Sequence, residues 1–218
     1  KEFIMNNIYE NNMRFLPLLK FMDKYKKLLI ILITLIVLSA LSLFIFFQIK
    51  NNNNIKAAEF YSQWETESSK SEPNMEILDE IFTNIETKYS GTGYYKTVLL
   101  NKANLELNQE KLGNALESFN KLIKITNGFN GNKIYNKISR ISAARILLTN
   151  ERYDDALKMI SSYSSSETNA FIHELTGDIL LKQNKIQLAI DQYQIALEKY
   201  SDESSKSIVE IKIANIGE

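Results

Sequence analysis

The stretch Ala144-Arg145-Ile146-Leu147-Leu148-Thr149, followed by Asn150-Glu151-Arg152 and then Tyr153-Asp154-Asp155-Ala156-Leu157-Lys158-Met159-Ile160, decides how this chain is read. Its apolar residues recur at helical spacing on both sides of a short polar break. Ala144 and Ala156 stand 12 residues apart, and Ile160 follows four residues later. Two antiparallel helices joined by a tight turn approach closely only where both facing side chains are small. A bulky residue one turn along then fills the groove beside that contact. The pattern predicts a helical hairpin.

The same triplet occurs upstream as Ala103, Ala115 and Phe119, and downstream as Gly177, Ala189 and Tyr193, so that successive copies lie 41 and 33 residues apart. The first helices end in Leu105-Glu106-Leu107-Asn108, Ile146-Leu147-Leu148-Thr149 and Ile179-Leu180-Leu181-Lys182, with polar turns expected at 108–111, 149–152 and 182–185. A loop carrying Gly128 and Gly131 takes up the extra length of the first interval. A helix pair recurring at about 34 residues is the tetratricopeptide pattern, in which each pair buries its apolar face against its neighbours.

The chain upstream is also helical in period. Residues 55–70 predict a helix with Ala57, Phe60, Tyr61 and Trp64 on one face, preceded by a polar break at Asn51 to Asn54. Pro73 suits the first turn of a second helix running to about Tyr89, with Ile77, Leu78, Ile81, Phe82 and Ile85 as its buried stripe. Ser90-Gly91-Thr92-Gly93 reads as the turn that ends it. Ser207 to Ile216, with Ile208, Val209, Ile211 and Ile213, predicts a terminal helix capping the open end of the stack.

Leu28 to Phe47 contains no charge, its only polar side chains are Thr34, Ser39 and Ser42, and 16 of its 20 residues are Leu, Ile, Val or Phe. As a helix it spans about 30 Å, the thickness of a bilayer's hydrocarbon core. Insertion is favoured by about 5–10 kcal/mol on a translocon scale. The bulky end Phe44-Ile45-Phe46-Phe47 lacks the small residues of a signal-peptide cleavage site, so a retained span is expected. Arg14, Lys20, Lys24, Lys26 and Lys27 precede it closely and only Lys50 and Lys56 follow, which predicts a cytoplasmic N-terminus and an exported remainder. The expected organisation is therefore 1–27 as a cytoplasmic segment, 28–49 as the membrane helix and 50–218 as a repeat domain on the far side. Phe15, Leu16, Leu18, Leu19, Phe21 and Met22, interleaved with basic residues, suit either an interfacial segment or an ordinary flank.

Composition narrows the chemistry. With no cysteine, disulfides, thiolate zinc sites and cysteine nucleophiles are excluded, and two prolines with seven glycines in 218 residues suit long helices. Lys+Arg and Asp+Glu balance at 26 each, but residues 1–49 hold six basic against three acidic residues, which leaves the remainder mildly acidic and a poor phosphate binder. Nucleic acid is set aside on that ground. His173 is the single histidine, and its place four residues before Gly177 assigns it to packing. No H-E-x-x-H or C-x-x-C cluster is present, and Ser90-Gly91-Thr92-Gly93 lacks the spacing of a phosphate loop. Asp154-Asp155 and Asp202-Glu203 fall at expected helix starts, where carboxylates complement the helix dipole. Ser161 to Ser166, with Tyr163, reads as a polar loop between repeats, and Trp64 and Tyr61 as packing or membrane-surface aromatics. No catalytic, cofactor or metal residue is expected, and no small-molecule substrate.

Ile8-Tyr9-Glu10-Asn11, one inside-to-outside span and a degenerate repeat domain, with Ala143-Ala144-Arg145, Tyr153-Asp154-Asp155-Ala156-Leu157, Glu174-Leu175-Thr176-Gly177-Asp178-Ile179-Leu180 and Lys212-Ile213-Ala214-Asn215, together resemble the YfgM family. That resemblance implies an ancillary subunit of the SecYEG translocon in a bacterial inner membrane, with a periplasmic domain that partners a PpiD-like chaperone and carries no catalytic residues. The expectation is thus an all-α, non-enzymatic adaptor: a single membrane helix followed by a tetratricopeptide-like α-solenoid of antiparallel helix pairs. A scaffold for cell division or cytochrome maturation is the alternative.

Overall fold

A computed structural model describes residues 2–129, 131–163 and 169–216, with side chains from Leu18 onward apart from Leu19. The expected character of the side chains before Leu18, and the part of the 161–166 loop beyond Tyr163, lie outside the described residues. The described chain is helical, and it divides into two compact units, 1–56 and 57–218.

The first unit is the N-terminal part of helix α1, whose full extent is Glu2–Ser68. Within 20–68 an 18-residue window reaches a mean hydropathy of 3.1 with none of it buried in protein, so α1 is long and apolar enough to cross a membrane. The polar break expected at Asn51 to Asn54 is absent: α1 runs through all four asparagines. Each Asn in a helix interior costs only about 0.7 kcal/mol relative to Ala, too little to end a helix anchored by long runs on both sides.

The second unit begins with the last turns of α1. The following helices are α2 (Met75–Tyr89), α3 (Gly93–Asn108), α4 (Leu112–Thr126), α5 (Lys133–Thr149), α6 (Tyr153–Ile160), α7 (Ala170–Lys182), α8 (Ile186–Lys199) and α9 (Glu203–Ala214). They form the predicted antiparallel pairs α3/α4, α5/α6 and α7/α8, with α9 packed on α8. Pro73 does not open α2. Asn74 is the cap, its Oδ1 accepting from the backbone N–H of Glu76 and Ile77 at 3.0 and 3.2 Å, and Pro73 precedes it. Ile77 lies at the outer edge of the stripe (42% exposed), whereas Leu78, Ile81, Phe82 and Ile85 are buried as expected. Asp202 caps α9 by accepting from the Ser205 N–H at 2.8 Å, so that helix starts four residues before the apolar run that announced it. Apolar patterning marks where a helix is buried; the cap marks where it begins.

The triplets do the work assigned to them. Ala103, Ala115 and Phe119, Ala144, Ala156 and Ile160, and Ala189 and Tyr193 are all fully or almost fully buried. At Gly177 a Cβ would stand 2.6 Å from the Tyr193 ring, so the aromatic occupies the space that glycine leaves. Burial proceeds as a chain of neighbouring clusters. Trp64, Leu78, Tyr95 and Leu122 make the first, Phe119 and Ile146 the next, Leu147, Ile172 and Ile179 a third, and Tyr193 with Val209 the last. Val209, Ile213 and Ile216 of the terminal segment pack inward, while Ile208 and Ile211 are exposed.

Candidate functional site

The repeat register decides which side chains share a surface. α3 packs on α5 and α5 on α7, while the second helices α4 and α6 approach each other less closely. The first helices therefore lie on the inner side of the curve. Equivalent positions on them form columns along that side, counted from the small residue of each triplet. Six residues before it stand Thr97, Ile138 and Phe171; three before, Leu100, Ile141 and Glu174; one after, Asn104, Arg145 and Asp178. Ile138 (41% exposed) and Phe171 (38%) present apolar surface, joined by Ile134 one turn upstream on α5.

The ends of this surface differ. Toward α2, Thr97 and Tyr135 share a hydroxyl hydrogen bond at 2.7 Å, Asn101 donates to Glu65 at 2.8 Å, and the Tyr61 and Tyr94 rings lie 5.6 Å apart. Toward α9 the carboxylates are occupied. Lys212 Nζ reaches Glu174 and Asp178 at 2.7 Å each, Tyr200 donates to Glu174 at 2.6 Å and Tyr193 to Asp178 at 2.8 Å. Burial raises the Tyr193 and Tyr200 hydroxyls well above the usual tyrosine range, and their carboxylate acceptors push the same way. Burial alone would lower the Lys212 ammonium, but the hydrogen bonds to Asp178 and Glu174 outweigh it and raise it. These groups stay fixed in charge at neutral pH and seal the α7–α9 end. Between the two ends, Arg145 is exposed and makes no ion pair among the described residues.

The residues singled out in the sequence fall elsewhere. His173 is buried, its Nδ1 2.9 Å from Gln192 Oε1, a packing position on the α7–α8 contact. Ser90-Gly91-Thr92-Gly93 is the α2–α3 turn, with Thr92 capping α3 through its hydroxyl, which accepts from the Tyr95 N–H at 3.2 Å. Asp154 and Asp155 sit in the first turn of α6, where Asp155 pairs with Arg152 at 2.6 Å and Asp154 accepts from Gln183 at 2.8 Å. Trp64 is buried against Phe82, with ring centroids 6.4 Å apart. Among the described residues no group of three or more His, Asp or Glu side chains is placed to share a metal ion.

One structural residue escaped the sequence reading. Asn136 is only 6% exposed, yet all of its side chain is used. Its Nδ2 donates to Ile123 O at 3.0 Å and Thr126 Oγ1 at 3.2 Å, and its Oδ1 accepts from Arg140 Nε at 2.9 Å and from the Tyr163 hydroxyl at 3.1 Å. It ties the end of α4 and the start of α5 to the segment after α6, across the loop that lengthens the first interval. An asparagine in a helix reads as surface unless its partners are known.

Stacked helix pairs with an inner column of apolar and charged side chains define a helical-repeat protein. The chain belongs to the Tetratricopeptide repeat-like domain family, whose sequence profile matches residues 20–218. Domains of this kind are in general protein-interaction modules rather than catalysts. A stretch of 57 residues, 26% of the chain, is also 30% identical to anaphase-promoting complex subunit 7 of Homo sapiens and of Mus musculus. That match covers 10% of those proteins' length, so it speaks for the repeat alone.

Proposed function

We propose that this chain is a membrane-anchored adaptor. Residues 28–49 cross the bilayer, 1–27 remain in the cytoplasm, and 50–218 stand on the opposite face. The bound protein lies on the inner side of the repeats. The exposed Ile138 and Phe171 around an Arg145 without an ion pair carry this reading. Such a surface suits a segment with two or three apolar side chains and one carboxylate, since Arg binds a carboxylate through paired N–H donors. The anchor restricts the search to co-resident membrane partners and raises their effective concentration.

In the resemblance to the YfgM family, those partners are the SecYEG translocon and a PpiD-like chaperone in a bacterial inner membrane, and the task is to assist newly exported chains. Affinity purification of the full chain in mild detergent, with Arg145→Glu as the matched control, tests this. The reading expects translocon and chaperone subunits to co-purify with the wild type and to fall several-fold with the variant. Recovery of division or cytochrome-maturation proteins instead would reassign the adaptor, and a phosphatase reporter after Glu218 that stays inactive would place the domain on the wrong side.

A further inference from the structure

The inner face leaves the other side of the repeats unexplained, and one feature there has the makings of a site. Where α4 and α6 stand apart, with α5 beneath them, they line an open groove of about 340 Å3. Its apolar lining is Leu116 and Ile123 from α4, Leu147 from α5 and Met159 from α6, with the amide of Asn120 beside them. Charged groups also line it. Arg152 and Asp155 offset each other as an ion pair, which leaves Arg140 and Lys158 as an excess of two positive charges. Neither of these makes an ion pair among the described residues.

Arg140 is held in place without any ligand. Its Nε donates to the buried Asn136, whose other bonds fix it to α4, and its Nη1 donates to Met159 O at 3.3 Å. Its Nη2 has no acceptor among the described residues. A side chain already immobilised loses little further freedom on binding, which favours affinity. A neutral apolar occupant would desolvate Arg140 and Lys158 without compensation, and a bare hydrated anion would gain nothing from Leu116, Leu147 and Met159. The complement is a carboxylate beside a bulky apolar group. A guanidinium has donors for a peptide carbonyl as well as for the carboxylate, which favours polypeptide over free fatty acid. The volume lies at the small end of ligand cavities and suits a single anchor of a larger partner.

We infer that the α4–α6 groove is a second docking site, for an acidic–apolar segment of a partner protein. Its Asp or Glu pairs with Arg140 and Lys158, and the adjoining Leu or Phe rests on the partly exposed Leu116, Ile123 and Met159. This site is independent of the inner-face reading and can stand or fall without it.

The test uses the full chain in lipid nanodiscs and a fluorescein-labelled peptide, Gly-Ser-Asp-Leu-Phe-Gly, capped at both ends, read by anisotropy against empty nanodiscs. The Asp peptide is expected to bind about tenfold tighter than its Asn counterpart, the change that one lost charge-assisted contact produces. Lys158→Glu, at an exposed position whose side chain makes no hydrogen bond or ion pair among the described residues, is expected to weaken the Asp peptide by about tenfold. Because the inner face also suits an acidic–apolar segment, each comparison is made in the Arg145→Glu background, which removes that face's cation and leaves the groove untouched. Arg140→Gln should weaken binding as well, with circular dichroism reporting whether the Asn136 network survives. Equal binding of the Asp and Asn peptides, insensitivity to Lys158→Glu, or no saturation at millimolar peptide overturns the inference. Absence of saturable binding in the Arg145→Glu background overturns it too, by placing all of the peptide on the inner face, as does binding of laurate where the peptide fails.

Discussion

Glu110, Glu151 and Asn184 adopt the left-handed backbone conformation, with φ of 60°, 59° and 57°. Each lies two residues past the end of a first helix, and each turn closes in the same way. The N–H groups of Lys111, Arg152 and Lys185 reach back to the carbonyls of Glu106, Leu147 and Leu180 at 2.8–3.0 Å, a Schellman closure repeated three times. A glutamate pays steric strain there that glycine avoids, while glycine gives up more chain entropy on folding. The balance predicts that Glu110→Gly and Glu151→Gly each stabilise the domain by about 0.5–1 kcal/mol. Thermal denaturation of the single and double variants measures it. Gly177 is the opposite case. Gly177→Ala pushes a methyl into the Tyr193 ring, which predicts a loss of about 1–3 kcal/mol. Tyr193→Leu should recover part of that loss in the double variant, so the two changes add up to less than their sum. The small and bulky members of each triplet were legible in the sequence because their spacing is fixed by helix geometry. The glutamates at the turns were not, since nothing in a Glu announces a positive φ.

At the scale of elements, two polar contacts set how neighbouring helices meet. Asn136 satisfies four partners from the α4 end, α5 and Tyr163, so Asn136→Ala leaves several of them buried and unpaired. A loss of about 2–4 kcal/mol is expected, with amide exchange quickening first around Thr126 and α6. Glu86 joins α2 to α3 and α4. Burial opposes its charge, but hydrogen bonds from Lys121 and from the Tyr95 hydroxyl at 2.7 Å outweigh burial and hold its carboxyl below the usual value of 4.5. A depressed folded value means that this stabilisation is complete above pH 4.5 and is lost as pH falls through the lower folded value. Glu86→Gln should therefore melt below the wild type at pH 7, and the gap should close on acidification toward pH 3. A gap that stays constant with pH would show that the pairing contributes nothing. Element boundaries were the part of the fold that the sequence told least well. Pro73 suggested a helix start one residue before the Asn74 cap, and the apolar stripe drawn from Ile77 was one position too wide. Asn51 to Asn54 read as a break because local propensity is visible in a sequence and the cooperativity of a long helix is not.

For the whole molecule, the repeat predicts a nearly one-dimensional stack in which each pair leans on its neighbours. The order of helix pairs and their buried small residues could be read from spacing alone. The inner face could not be read that way, because a column forms only after three copies are superposed and the carboxylates at one end are found to be occupied by Lys212. That same superposition is what isolates Ile138, Arg145 and Phe171 as the surface without a partner of its own. Photo-crosslinking in cells asks directly whether a protein lies there. With p-benzoylphenylalanine placed singly at Ile138 or Phe171, and at the outer positions Ile186 or Leu188 as controls, the inner sites should give discrete adducts to one or two membrane or envelope proteins and the outer sites should give few. Adducts of equal yield and identity from both faces, or none from Ile138 and Phe171, would contradict the account.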